Sequence, residues 1–202
     1  MPWVKEYMKV CIASSRNIGE VCREWARKQP LPLVELVDDP DDCDVFISVL
    51  YDKLVSQEFI DGRLACYNFH PGLLPQQRGA GIFSWAIINN DPFTGITLHE
   101  IDKDIDHGPI LDRTRIPVLS TDTAGSLFKH GEKAIMGMFE RWYGRLVTGT
   151  EHGHMPNKPG HIYYRKDLEA AKDLSRYVRA FTFPGKESCY YWKDGKKVYI
   201  GH

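Results

Sequence analysis

This sequence has no cysteine pair at metal-ligand or redox spacing. Its five cysteines, Cys11, Cys22, Cys43, Cys66 and Cys189, are scattered and odd in number. They therefore give neither a disulfide framework nor a zinc pattern. Cys11 and Cys66 lie in apolar runs and read as buried free thiols. No apolar run approaches the roughly 20 residues of a membrane span. No basic N-terminal stretch leads into a long apolar one, so no secretory signal is visible. Positive charge is not in excess either: 26 Lys and Arg stand against 27 Asp and Glu, a net charge of -1. That balance gives no overall signal for nucleic acid or a membrane surface. The basic group Lys193, Lys196 and Lys197 reads as a solvated hairpin face, with phosphate contact as the alternative. Internal repeats and low-complexity tracts are absent. These absences lead to the expectation of a chain in the reducing cytoplasm, with no nucleic-acid or membrane partner.

The chain has 202 residues, 43% hydrophobic and 26% charged, an ordinary globular composition. The length suits one domain, or one domain with an appendage, and is long enough to bury a core without disulfide staples. "MKVCIA" (8–13) and "DVFISVLY" (44–51) read as buried strands, the second rich in β-branched and aromatic residues. "LVELVD" (33–38) and "RLACYNFH" (63–70) are two more. Between the first pair lies an amphipathic helix with Ile18, Val21, Cys22 and Trp25 at i, i+3, i+4, i+7 spacing. "KLVSQEFIDG" reads as a short helix closed by Gly62. Strands alternating with helices point to an α/β domain with a largely parallel sheet. Further on, "AGIFSWAIINND" reads as a helix, and 94–101 and 109–118 as strands. A long helix follows, capped by Thr121 or Asp122, carrying Leu127, Ile135, Met138, Phe139 and Trp142, and closed by Gly149. Residues 150–162 read as a surface connection. The tail then holds a short helix in 167–181 and two strand-like runs around Asp194-Gly195, a strong two-residue hairpin signal.

The chemistry concentrates at "NFHPGLLPQQRG" (68–79). Asn68 and His70 are one residue apart, so in a strand both side chains leave the same face. Pro71, Gly72 and Pro75 then stop the strand. In α/β sheets ligands bind beyond the carboxyl ends of the strands. Asp106 lies a helix and a strand later, in the acidic loop "DKDIDHG" between two apolar strands. If that intervening segment brings the chain back, a carboxylate, an imidazole and a carboxamide converge. His107, His152, His154 and His161 have no metal spacing and read as surface residues; no metal is expected.

The ordered set "YNFHPGLLPQQRG", "SWAIINND" and "TGITLHEIDKDIDHGPI" resembles the formyltransferases that use 10-formyltetrahydrofolate. The resemblance spans roughly residues 44–118. It implies a Rossmann-like α/β formyltransferase domain with a mainly parallel sheet over 1–150. Residues 151–202 would supply a linker, a short C-terminal helix and a β-hairpin appendage. It implies catalytic roles for Asn68, His70 and Asp106. Formyl transfer is acyl transfer, in which an amine attacks the formyl carbonyl through a tetrahedral oxyanion. Asn68 and His70 can supply donors to that oxyanion, and a carboxylate can take up the amine's proton or orient and charge His70. The resemblance places the folate against Leu50 and Tyr51 and against Ile101, Asp102 and Asp104. Arg78 and Gly79 are expected at the substrate, and His99 in a supporting or packing role.

The sequence departs from the family where Gly72 replaces a frequent Ser, so a loop hydrogen bond is expected to be missing. "ASSRNIGE" also lacks the glycine-rich phosphate turn of glycinamide ribonucleotide formyltransferases. Only residues 163–202 follow the connection, and they are not strongly basic, which disfavours a charged tRNA as acceptor. The pattern "RYVRAFTFPGKESCYYWKDGKKVYIG" resembles the short appendage of sugar N-formyltransferases. The expected acceptor is therefore a nucleotide-linked amino sugar. Phosphoribosylglycinamide is the alternative, and a non-catalytic folate- or sugar-nucleotide-binding homologue is the alternative of another class. The exposed aromatic hairpin edge would need cover, so a homodimer is expected.

Overall fold

A computed structural model describes residues 7–151, 153–158, 160–164, 167, 173–187 and 190–199. The apolar runs of the N-terminal half become β1 (Met8–Ala13), α1 (Asn17–Ala26), β2 (Val34–Val37), β3 (Val45–Val49), α2 (Gln57–Asp61) and β4 (Ala65–His70). The chain continues through β5 (Arg78–Gly79), α3 (Ile82–Ile88), β6 (Phe93–Glu100), β7 (Ile110–Pro117) and α4 (Ala124–Thr148). It ends in β8 (Ile162–Tyr163), α5 (Leu174–Phe181), β9 (Tyr190–Lys193) and β10 (Lys196–Tyr199). The central sheet has six strands in the order β2-β1-β3-β4-β6-β7. β1 to β4 pair in parallel, and β6 joins β4, and β7 joins β6, antiparallel. Every residue of β3 is buried. A strand covered on both faces has no solvent side, so its sequence runs apolar without alternation.

Two helices cover one face. α1 buries Ile18, Cys22 and Ala26, and α4 buries Leu127, Ile135, Met138, Phe139 and Leu146. Trp25 meets Phe139 and Tyr143 edge-on, with ring centroids 5.9 and 6.0 Å apart. Val21, expected on the inner face of α1, is exposed: the inner arc is centred on Cys22 and Ala26 and leaves Val21 beyond its edge. The cap of α4 also differs from expectation. Thr123 is the N-cap, and its side chain accepts from Ser126 N at 3.1 Å while Ser126 Oγ accepts from Thr123 N at 3.0 Å. Asp122 instead accepts from Leu119 N and Ser126 Oγ. Gly149 ends α4 in the left-handed conformation, with φ 63°, which glycine adopts without Cβ strain. Gly62 ends α2 at φ -78°, so no left-handed turn closes that helix.

The C-terminal part is sewn onto the sheet domain. Ser84 Oγ donates to Ala180 O at 2.7 Å, and Gly125 N donates to Thr182 O at 3.0 Å. The described residues of 150–162 are exposed or half-buried, and they also bond inward. Tyr67 Oη donates to Glu151 at 2.6 Å, Met155 bridges to Ile110, and β8 pairs in parallel with β5. The hairpin turns at Asp194 and Gly195, both at positive φ (50° and 72°), as a type I′ turn requires. Cys189 and the early part of the expected helix, 168–172, lie outside the described residues. Among the described residues, no helix is long and apolar enough to cross a membrane.

The reciprocal Thr123 cap satisfies the first donors of a 25-residue helix. Thr123→Ala is expected to lower stability by about 1 kcal/mol, the usual value for such a cap, seen as a lower urea midpoint with an unchanged m-value.

Candidate active site

β4 delivers Asn68 and His70 to its C-terminal end, and the antiparallel partner β6 sets His99 directly opposite Asn68. After His70 the chain turns at Pro71-Gly72. Gly72 N donates back to His70 O, Thr97 Oγ1 donates to Gly72 O at 2.6 Å, and Leu73 N donates to Gln77 Oε1. The loop is thus closed by Thr97 and Gln77 without a hydroxyl at position 72. A side chain there has no room: an added Cβ would lie 2.5 Å from Gln77 O and 2.7 Å from His70 Nε2. Gly72 therefore clears the path of the contact that orients the imidazole.

His70 is 2% exposed. Its Nε2 lies 2.6 Å from Gln77 O. A carbonyl only accepts, so Nε2 carries hydrogen and donates. Its Nδ1 faces Asp106 Oδ1 at 3.3 Å. The acidic loop carries Asp106 over the same sheet face, at φ 46°, a backbone conformation that costs a non-glycine residue about 1–3 kcal/mol. The carboxylate meets donors on both oxygens. Oδ2 accepts from Gly79 N at 2.9 Å, and Oδ1 lies 3.5 Å from Asn68 Nδ2. His99 Nε2 stands 3.7 Å from the same oxygen. His99 donates from Nδ1 to Glu100 O at 2.6 Å, which leaves Nε2 to accept from Asn68 Nδ2 at 3.1 Å. Ser48 Oγ donates to Asn68 Oδ1 at 2.7 Å, and the acceptor-only carboxylate of Asp106 on the other side matches the amide nitrogen facing it. The second amide hydrogen of Asn68 has only the 3.5 Å contact to Asp106, at the weak limit of a hydrogen bond.

The electrostatics follow from this packing. Burial alone would neutralise His70, but the charge of Asp106 and its hydrogen bond, with the Gln77 carbonyl, outweigh burial and raise its pKa above 6.5. Burial likewise opposes charge on Asp106, but His70, through its charge and hydrogen bond, and then His99 hold it well below the usual carboxylate range. Both shifts favour the charged pair, an imidazolium facing a carboxylate.

A cavity of about 610 Å³ opens beside this group, within the range that takes a drug-sized ligand. Asn68, His70 and Asp106 line one end, and Leu50, Tyr51, Phe83, Phe128, Ile162 and Tyr163 contribute walls. Leu50 and Tyr51, expected at the folate, line this cavity. Ile101, Asp102 and Asp104 are off this wall. Ile101 packs in the Phe46 cluster and donates to Cys66 O. Asp102 pairs with His107 at 2.6 Å and accepts from Asp104 N, and Asp104 is exposed. Gly79 lines the cavity but Arg78 does not. Arg78 is 4% exposed, and its Nε and Nη2 both donate to Ile105 O, so its charge is spent on the loop rather than offered to a ligand. Sequence reasoning missed Ser48 and Gln77. Ser48 left a signal, a hydroxyl inside an otherwise apolar strand; Gln77 left none. Among the described residues, no group of three His, Cys, Asp or Glu could hold a metal ion.

A family profile described as formyl transferase matches residues 26–139. The chain belongs to the formyl transferase family. Among relatives of the chain, GDP-perosamine N-formyltransferase of Brucella melitensis is 31% identical over 169 residues, covering 79% of this chain and 64% of the relative. Methionyl-tRNA formyltransferase of Legionella pneumophila (strain Paris) is 34% identical over 184 residues, covering 79% of this chain and 57% of the relative. The matched region thus spans less than two thirds of either relative's length. Among solved structures, a sugar N-formyltransferase from Shewanella sp. FDAARGOS_354 superposes with a TM-score of 0.79 at 20% identity, over 96% of both chains. An N-formyltransferase from Helicobacter canadensis, solved with folinic acid and dTDP-3-aminofucose, superposes with a TM-score of 0.73 at 22% identity, over 87% of this chain and 81% of that one. These structural likenesses show that the fold is shared.

The raised His70 and depressed Asp106 give the folded chain a defined pH window. Stabilisation from His70 is full below its unfolded pKa of about 6.5 and is lost as pH rises through its higher folded value. Stabilisation from Asp106 is present above about 3.9 and is lost as pH falls through its lower folded value. The imidazolium of His70, followed by NMR, should therefore persist above pH 6.5 in the native protein, and Asp106→Asn should return its titration to or below that value. An unshifted titration in the native protein would contradict the pairing.

Proposed function

We propose that this chain transfers a formyl group from 10-formyltetrahydrofolate to the primary amine of a nucleotide-linked amino sugar. The observation that carries the reading is the meeting of Asn68, His70 and Asp106 at one end of a ligand-sized cavity. The family membership supports the reaction type. The acceptor class is supported by the sugar-nucleotide relative, by the end-to-end likeness to a sugar N-formyltransferase, and by the aromatic tail pattern.

The reaction is direct attack. The amine nitrogen bonds to the formyl carbon, the carbonyl oxygen takes negative charge, and the carbon then releases N10 of the folate. One proton leaves the amine and one is gained by N10, so the step balances without a metal or a covalent enzyme intermediate. Asn68 holds an amide hydrogen that is only weakly engaged by Asp106, and a developing oxyanion can claim it. His70, kept charged by Asp106, adds positive field at the same place. Such preorganised donors stabilise an oxyanion by several kcal/mol, about 3 kcal/mol for a single donor. Asp106 is a poor base when its pKa is held far down, so its role is to charge and hold His70. The amine proton then passes to the folate nitrogen, directly or through water. Leu50 and Tyr51 would flank the folate at the cavity wall. Gly79, whose missing side chain makes room for Tyr163 O, would meet the acceptor through its backbone. The protein would act as a homodimer with the aromatic hairpin at the contact.

The test is turnover of 10-formyltetrahydrofolate with a panel of GDP-, dTDP- and UDP-linked amino sugars, with glycinamide ribonucleotide and charged tRNA as the competing acceptors. A formylated sugar nucleotide, identified by mass, is expected. His70→Ala and Asp106→Ala should each lower kcat by about 100-fold or more while the folded circular-dichroism spectrum is kept. Near-native kcat in both variants would remove the assigned roles.

A further inference from the structure

Asp106 sits in a left-handed backbone conformation, within a loop whose own sequence offers little to hold it there. Two side chains from elsewhere grip that backbone. On one side, Arg78, at the end of the strand-breaking loop, directs Nε at 3.1 Å and Nη2 onto Ile105 O. On the other, Asn157, from the connection that follows α4, directs Nδ2 at 2.9 Å onto Asp106 O and at 2.9 Å onto Gly108 O. The orientation of the Asn157 amide is decided by chemistry, because two carbonyls can only accept and so the nitrogen must face them. Its Oδ1 is buried with no hydrogen-bond partner among the described residues, so the donor end alone fixes this side chain. Three successive stretches of chain, 105, 106 and 108, are thus tied by donors that arrive from 27, 51 and 49 residues away. Gly79 N then takes the carboxylate itself.

We propose that Asn157 and Arg78 are positioning residues that clamp the backbone on both sides of Asp106 and so keep its carboxylate on His70. Neither need touch a substrate: each acts on a carbonyl of the loop, and the loop presents the carboxylate. The inference rests on the reading of Asp106 as part of the site. It also gives the connection after α4 a function that its exposed, Gly-, His- and Pro-rich sequence does not suggest. Every target is a carbonyl oxygen, so the task needs N–H donors. A guanidinium and an amide nitrogen supply them.

Asn157→Ala should lower kcat by about 10- to 100-fold, the scale on which small misplacements of catalytic groups act. KM for both substrates should stay within about two-fold, since transition-state interaction rather than uniform binding is lost. Asn157→Asp, nearly the same shape with no N–H, should do the same or worse, and it serves if the alanine variant does not fold. Arg78→Lys, which cannot fork two donors onto one carbonyl, should weaken kcat in the same sense. In an Asp106→Asn background the Asn157 substitution should have no further effect, because its target has already lost its role. His70 titration by NMR should fall toward its ordinary value in the Asn157 variants, and that readout needs no substrate. It therefore decides the clamp even if the acceptor proposed above is wrong. Native kcat with an unmoved His70 titration in a folded Asn157 variant, a loss confined to KM, or a loss that multiplies with that of Asp106→Asn would overturn the proposal.

Discussion

A buried imidazole held between a carboxylate and a carbonyl is the constraint around which this site is built. His70 can stay protonated at 2% exposure only because a carboxylate faces one nitrogen and a carbonyl the other. Removing an isolated charge from water costs far more than a fold can spare, so the arrangement is all or nothing. With Asp106 present, the pair is mutually stabilised; without it, His70 must go neutral. The same logic explains the crowding of donors on Asp106. A buried carboxylate that met only one of them would be raised toward protonation and would lose its hold on His70.

The topology serves that constraint. The parallel half of the sheet brings strand ends to one edge, the usual place for ligands in α/β folds. Parallel strands alone could not put His99 beside Asn68. β6 does so by running antiparallel to β4, with Asn68 opposite His99 and His70 opposite Thr97. The loop leaving β6 then folds back across the residues it has just paired with, and Ile101 N is anchored on Cys66 O as it turns. Asp106 arrives above Asn68 and His70 because its strand has already passed them. The bulge at Leu98/His99 in the pairing with β7 lies at the same place, where a regular ladder gives way to the loop.

The strands and the hairpin were legible because their signals are local. β1 and β3 are apolar runs broken only by Lys9 and Ser48, and Asp194-Gly195 names its turn type. Asn68, His70 and Asp106 were legible because a strand end broken by Pro-Gly is a poor place for an amide and an imidazole unless they face something, and because the ordered segments resemble one family. What escaped were partners chosen by tertiary packing. Nothing near Thr123 distinguishes it from Asp122 as a cap until Leu119 N is seen to occupy the carboxylate. Arg78 reads as a ligand-facing cation until the Ile105 carbonyl is found beneath it. Ile101, Asp102 and Asp104 sit in a loop that does reach the site, yet only Ile105 and Asp106 of that loop line the cavity. Proximity in sequence to a functional residue says little about which way a loop residue faces.

Gly72 shows how tightly these choices are coupled. A hydroxyl-bearing residue at that position would offer the loop one more hydrogen bond. In this chain the space is already taken, since a Cβ would meet both Gln77 O and His70 Nε2 closer than atoms pack. Glycine gives up the local bond and leaves the straight line between imidazole and carbonyl open. That line fixes Nε2 as the hydrogen-bearing nitrogen, and so turns Nδ1 toward Asp106. The direction of the ring therefore depends on one missing side chain, while Asp106 favours its charge. The loop regains the lost hold through Thr97 Oγ1 and the Gln77 amide, both supplied from outside the turn. A local weakness is thus exchanged for a fixed electrostatic geometry where the carbonyl chemistry would occur.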